Sequence, residues 1–395
     1  MKSCILAITI ILFAIPSLSA KPVFEEQMIF SLQDKHVHSS SIVQTGNGDL
    51  LACWFHGSGE RTADDVLVQG ARLKMGDKTW SPVFLMADTP GFPDCNPVLF
   101  VDPQDRLHLI WVAVLAHSWK QSLLMYRRSA DFQNPGAPIW NWQGVITLKP
   151  GEEFARIVKE EFKANAPEGL WAEYAPSYED MIINAAQDPI KRQMGWMPRT
   201  HLLTLPSGRI LLPLYSDGFC LGLVAISDDG GDTWRASSPM VGPGLNQPSI
   251  VRQKDGTLVA YMRDEGNTPS RVFVSTSVDE GETWSYARQI DIPNPSSSLE
   301  VISLQSGRWL MIFNDAEEGR HSLAAALSDD EGQTWSAMRH VALVEKGTKS
   351  FSYPSVIQTK DGLLHLTYSY DDGPHETIKY AVFNEEWILE SAHKN

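Results

Sequence analysis

The motif Ser-x-Asp-x-Gly-x-Thr-Trp occurs three times in this chain, and its spacing narrows the fold more than any other feature. The copies are Ser227 to Trp234, Ser277 to Trp284 and Ser328 to Trp335, with tryptophans 50 and 51 residues apart. Thr79-Trp80 and the pair Ser129 and Asp131 read as decayed copies. Such a motif suits a hairpin turn. The Asp accepts backbone N–H bonds, the Gly takes a positive φ, and the Trp packs between neighbouring sheets. A fixed period of this length implies stacked or radially arranged units rather than one continuous sheet.

A second repeat runs beside the first: an apolar strand, a polar turn, another apolar strand. Its turns centre on Gly48, Asp105, Gly208, Gly256, Gly307 and Gly362. Six copies predict an all-β fold, a six-bladed β-propeller in which each blade is one antiparallel sheet. The interval between the second and third turns is 103 residues, about twice the others. It predicts an insertion at about 150–196 between blades two and three. Phe154, Ile157, Val158 and Phe162 give that insertion helical spacing. The repeat resumes unchanged afterwards, so residues 21–395 are expected to form one propeller domain. Either Val23–Leu32 or Thr377–Phe383 is expected to supply the outer strand that closes blade six.

Lys2, the apolar run Ile5 to Ile15 and the small residues up to Ala20 have the order of a secretory signal, expected to span residues 1–20. The reading is therefore of an exported protein, periplasmic or secreted, without a membrane span in its mature form. The chain carries 33 Lys+Arg against 48 Asp+Glu, a net charge of −15, which argues against nucleic acid as a partner. With 43% hydrophobic residues it can fill a large core, which excludes intrinsic disorder. Cys53, Cys95 and Cys220 allow at most one disulfide, and their spacing suits no metal. No cofactor is expected, and the chain is expected to be a monomer.

The boxes, the period and the blade count resemble the sialidase superfamily over nearly the whole mature chain. Gly195-Trp196-Met197 with Arg199-Thr200-His201, and Leu214 to Gly218, resemble a bacterial branch described as predicted neuraminidases. That resemblance implies three arginines on a sugar carboxylate, a Tyr–Glu nucleophile pair and an Asp acid/base. Carried over by register, Arg263 and Arg320 match two of the arginines and Tyr353 matches the nucleophile. His38 stands where the first arginine belongs, and Gln247 stands where the Glu belongs. Asp64 and Asp65 are the candidates for acid/base. Gln247 can orient a group but cannot take a proton. Glu300, which shares the expected facing of Tyr353 in its own blade, is the expected substitute carboxylate. Arg199 and His56 are further substrate-binding candidates, with Glu60 and Arg61 near the same mouth.

The leading expectation is an exo-acting sialidase-like glycoside hydrolase that releases a terminal acidic sugar from an extracellular glycan. His38 and His56 also suit a lyase or unusual glycosidase acting on uronate-containing polysaccharide, because a histidine can move protons near neutral pH. The replacement of the Glu by Gln247 suits a third reading, a glycan-binding propeller without chemistry.

Overall fold

A computed structural model describes residues 21–165, 178–265 and 269–392. Among them, six antiparallel sheets follow one another along the chain. Blade one is built from His36–Gln44, Leu50–Gly57, Leu67–Leu73 and Phe84–Ala87, and the others repeat that up-and-down order outward from the axis. In blade three the innermost strand is split into Met197–Pro198 and Leu203–Thr204, both paired to Ile210–Ser216. Blade six takes its inner three strands from Ser350–Gln358, Leu364–Asp371 and Glu376–Phe383. Its outermost strand comes from the other end of the chain, Phe24–Met28 paired to Glu376–Phe383. The two candidate segments for that edge thus lie side by side, and the early one seals the ring. This closure removes the exposed edge that an open blade would present.

The boxes form the turns that their residue types dictate. In the middle copy, Asp279 accepts from the Thr283 N–H at 3.0 Å, the Thr283 hydroxyl at 2.6 Å and the Ser277 hydroxyl at 2.8 Å. Gly332 is required twice over: its φ is +85°, and a Cβ there would meet the Tyr261 hydroxyl at 2.0 Å. The tryptophans then join blades. Trp234 meets Tyr126 of the preceding blade edge-on at 6.2 Å, and Trp335 meets Tyr261 at 6.0 Å. Trp80, in a decayed copy, meets Tyr380 of blade six at 5.3 Å. The apolar core is accordingly a ring of layers between adjacent blades, not one central mass.

The described parts of the insertion are helical, and residues 166–177 lie outside the described residues. Helix α1 (Glu152–Ala164) buries Phe154, Ala155, Val158 and Phe162, while α2 (Tyr178–Ala186) and α3 (Pro189–Gln193) follow. Its apolar face joins the layer that holds Trp196 and Phe219, so the insertion rests on blade three. A fourth helix, α4 (Glu385–Ala392), was not expected; its Trp387 stacks on Phe24 at 4.5 Å beside the closure strand. Residues 1–20 lie outside the described residues. Cys53, Cys95 and Cys220 are all free thiols. Among the described residues no helix is long and apolar enough to cross a membrane.

Two registers of the inner strands decide what faces the axis. Seven residues before the turn position stand Ser41, Ser249, Glu300 and Ser355. Each accepts a backbone N–H from the inner strand of the next blade: Leu99 to Ser41 at 3.0 Å, Val301 to Ser249 at 2.9 Å, Val356 to Glu300 at 2.5 Å, Ile42 to Ser355 at 3.3 Å. This ring of side-chain bonds ties the strand tops together. Two residues earlier, nine before the turn, the pairing slips. Bulges between His38 and Ser41, Cys95 and Val98, Asn246 and Ser249, and Ser352 and Ser355 hold Ser39, Asn96, Gln247 and Tyr353 at positive φ. A bulge re-aims one side chain, and a bulky residue at positive φ is a strained conformation typical of functional positions. The candidate site lies at these bulges.

Candidate active site

Tyr353 sits at the centre of the bulged end, 9% exposed. Its hydroxyl oxygen accepts from Arg263 Nη1 at 2.8 Å and from Gln247 Nε2 at 3.2 Å. Arg320 lies 5.4 Å from the ring centre and Arg199 4.9 Å. The His38 ring is tilted against it with centroids 4.1 Å apart. Negative charge developing on the phenolic oxygen therefore meets two donors and three guanidinium groups, an arrangement set before any ligand arrives.

Tyr353, Arg263, Gln247, Arg320 and His38 line a cavity of about 250 Å³, together with Glu60, Asn96, Trp119, Tyr215 and Asp217. An annex of about 220 Å³ adjoins it, sharing His38, Glu60 and Arg320 and adding His36, Ser350 and Glu376. Arg263 is fixed by Ser296 Oγ at 3.1 Å and by an ion pair with Glu265. Arg320 is fixed by the Ser296 carbonyl at 2.8 Å. Arg263 is the last but one residue of a blade-four strand and Arg320 precedes a blade-five strand, and the two side chains line one cavity.

Of the expected residues, Tyr353, Arg263, Arg320, Gln247 and His38 are brought together. Arg199 is close but sealed. Its two terminal nitrogens donate to the carbonyls of Ser40 at 3.3 Å and Pro354 at 2.8 Å, and it is 2% exposed. It is a buried cation beneath the Tyr353 ring, and no face of it is offered to substrate. His56 lines neither cavity; it turns to Gln69 at 3.1 Å.

Three expectations require correction. Asp65 is held by Lys35 at 2.7 Å and by the Ser58 hydroxyl and N–H, which push its carboxyl far below the usual range. A carboxylate so held has no proton to give at neutral pH. Asp64 is exposed and bonded to His117 at 2.8 Å. Neither lines the cavity, whereas Glu60 from the same loop does. Glu300 is not the partner of the Tyr353 hydroxyl. Its oxygens are taken by His201 Nδ1 at 2.7 Å, the His201 N–H at 3.1 Å and the Val356 N–H. It belongs to the inter-blade ring, in a place where three other blades use serine. Burial works against its charge, but His201, Arg199 and the Val356 bond outweigh it and hold it ionised.

A pocket carboxyl that sequence reasoning missed is Asp217. It directly follows the blade-three strand Ile210–Ser216 and accepts from Asn246 Nδ2 at 3.2 Å. Burial, reinforced by the negative Glu265, raises its carboxyl to about 6. A carboxyl raised this far inside a polar pocket holds its proton up to about pH 6 and is suited to general acid chemistry at mildly acidic pH. His38 moves the opposite way. Burial first, then the positive His36, Arg320, Arg199 and Arg263, lower it well below an ordinary imidazole, so it stays neutral. Asn96 was also missed. It donates to the Tyr215 hydroxyl at 3.0 Å, and it shares the register of Gln247 and Tyr353. That shared count from the turn was the signal that would have found it.

Comparison with known proteins agrees with the fold. The family described as BNR repeat-like domain matches residues 48–165 and 189–366. An anhydrosialidase of Macrobdella decora is 28% identical over 193 residues, 42% of this chain and 24% of that protein. The chain thus spans about a quarter of that relative's length. A crystal structure of a protein of unknown function from Dyadobacter fermentans superposes with a TM-score of 0.67 at 16% identity, covering 91% of this chain and 98% of the other. The NanB sialidase from Streptococcus pneumoniae gives 0.67 at 13%, covering 92% and 71%. At those identities the solved structures speak for the fold alone. With the family match extending over most of its length, the chain belongs to the BNR repeat-like domain family, within the sialidase superfamily of β-propellers.

Proposed function

We propose that this protein is a sialidase-like glycoside hydrolase that removes a terminal acidic sugar from glycans outside the cytoplasm. One observation carries the reading: the Tyr353 hydroxyl is bonded by Arg263 and Gln247 in a pocket that also holds Arg320 and Asp217, whose carboxyl burial raises to about 6. In this reading Arg263 and Arg320 bind the sugar carboxylate. Asp217 gives its proton to the leaving oxygen as the glycosidic bond breaks, and the Tyr353 oxygen bonds to the anomeric carbon. Neutral His38 takes the phenolic proton. Water then displaces Tyr353, its proton passing to the Asp217 carboxylate, which restores the acid, and His38 returns the phenolic proton.

Neutral His38 also favours a second reading, β-elimination on a uronate, in which Arg263 and Arg320 neutralise the carboxylate and a base removes the adjacent carbon-bound proton. Incubation with sialylated oligosaccharides and with uronate oligosaccharides separates the two. Free acidic sugar without new ultraviolet absorption supports hydrolysis, and an absorbing unsaturated product supports elimination. Ligand held for long incubation with no product would reject both in favour of binding alone.

A further inference from the structure

We propose that the groove between the helical insertion and blade three is the leaving-group site of this pocket, and that it selects glycosides with an apolar aglycone. The inference rests on the hydrolase reading for its orientation. A general acid touches the leaving oxygen, so the aglycone must begin beside the acid and extend away from the sugar. Asp217 is that acid here, and it lines two cavities: the catalytic pocket and a groove of about 730 Å³. The two spaces therefore share one residue, the one that carries the acid. The annex beside His38 does not include Asp217, and its lining of His36, Ser350, Asp371 and Glu376 is suited to hydroxyl groups instead.

The groove has the opposite character. Tyr178, Met181 and Ile182 of α2, Ile190 of α3, Met194 and Phe219 form its walls. Phe219 is anchored from behind, stacked on Trp196 at 5.9 Å and edge-on to Phe154 at 5.4 Å. Met181 is 56% exposed and Ile190 68%. Large apolar side chains left open along a cavity that shares Asp217 with the catalytic pocket mark a surface suited to be covered by ligand. Two methionines make that surface adaptable in shape, which fits alkyl chains of varied length. Lys120 and Lys191 stand at the same groove, so an amphipathic aglycone with an anionic group fits as well as a plain alkyl chain.

The test is binding of hydrolysis-resistant octyl and methyl thioglycosides of N-acetylneuraminic acid and of glucuronic acid, measured by calorimetry. The octyl compound of the sugar that binds is expected to bind about tenfold or more tightly than its methyl counterpart. Met181→Asp and Ile190→Asp are each expected to bring that ratio toward one, while Tyr353→Phe leaves it in place. Equal affinities in the unaltered protein, a preference that survives both variants, or no binding by any of the four compounds overturns the proposal. Failure of the hydrolase reading is seen separately, as intact O-linked octyl and methyl glycosides after incubation. An octyl preference that disappears in Ile190→Asp would stand even then, and the groove would remain an aglycone site of a lyase or a binding protein.

Discussion

Replacing Asp217 by Asn should remove activity and add stability together, a combination that a merely structural carboxylate does not give. The amide keeps the oxygen that accepts from Asn246 and changes little in volume, but it cannot donate an acidic proton. Loss of a positioned acid costs about a hundredfold to ten-thousandfold in kcat/KM. The stability term follows from the folded carboxyl standing at about 6 against its ordinary 3.8. Between those pH values the folded chain holds a proton that the unfolded chain has released, so stability falls as pH rises through that window. About two pH units at ~1.36 kcal/mol each amount to roughly 3 kcal/mol, fully lost above about pH 7. The amide of the Asp217→Asn variant has no charge to bury and escapes that loss. Urea unfolding at pH 4 and pH 8 should therefore show the variant gaining on the natural protein by up to about 3 kcal/mol at the higher pH only. In the pH–rate profile of the natural protein, kcat/KM should decline as pH rises past about 6, because the acid must be protonated. An Asp217→Asn protein with undiminished kcat/KM, or with the same stability deficit at pH 8 as the natural chain, refutes the assignment.

Tyr353→Phe keeps the ring between His38 and Arg199 but deletes the oxygen that Arg263 and Gln247 hold; turnover of an acidic-sugar glycoside should fall by at least about a hundredfold with little change in unfolding midpoint. Arg320→Ala should raise KM for an acidic ligand about tenfold or more, since a charge-assisted contact contributes about 1.5–3 kcal/mol, and unchanged affinity for every acidic sugar would reject its role. Glu300→Ala should act on folding, lowering stability by about 3–5 kcal/mol in denaturant titration, because it strands Arg199 and breaks the inter-blade bond to Val356. His38→Ala should reduce kcat more than KM and leave the alkaline limb set by Asp217 in place, as read from the pH profile.

What the sequence made legible was whatever counts from a repeat. The Asp boxes gave the blades, and distance from a hairpin turn or a box gave Tyr353, Gln247, Arg263 and Arg320, because strand residues keep their place relative to a turn. Asp64 and Asp65 lie in a loop between strands, where no register applies; what decides their role is Lys35, thirty residues away, and His117 from the next blade. Glu300 shows a subtler failure. Counting by twos along a strand rightly placed it facing the axis. But the bulges separate two sets of axial positions, one that brings Asn96, Gln247 and Tyr353 to the pocket and one bonded to the neighbouring blade, and period-2 geometry alone does not tell them apart. Asp217 was hidden for a related reason. A single carboxyl at a strand end looks like any turn residue until Glu265 and the surrounding walls are in place, and those come from another blade. The same count that misassigned Glu300 also explains it. Seven residues before the turn, serine in blades one, four and six makes the bond that Glu300 makes in blade five, and only the glutamate adds a charge. That charge lies beside Arg199, whose guanidinium is packed under the Tyr353 ring with both terminal nitrogens already committed to carbonyls. An uncompensated cation there would be costly to bury, so the blade-five glutamate is what allows a third arginine to remain beneath the tyrosine without touching substrate.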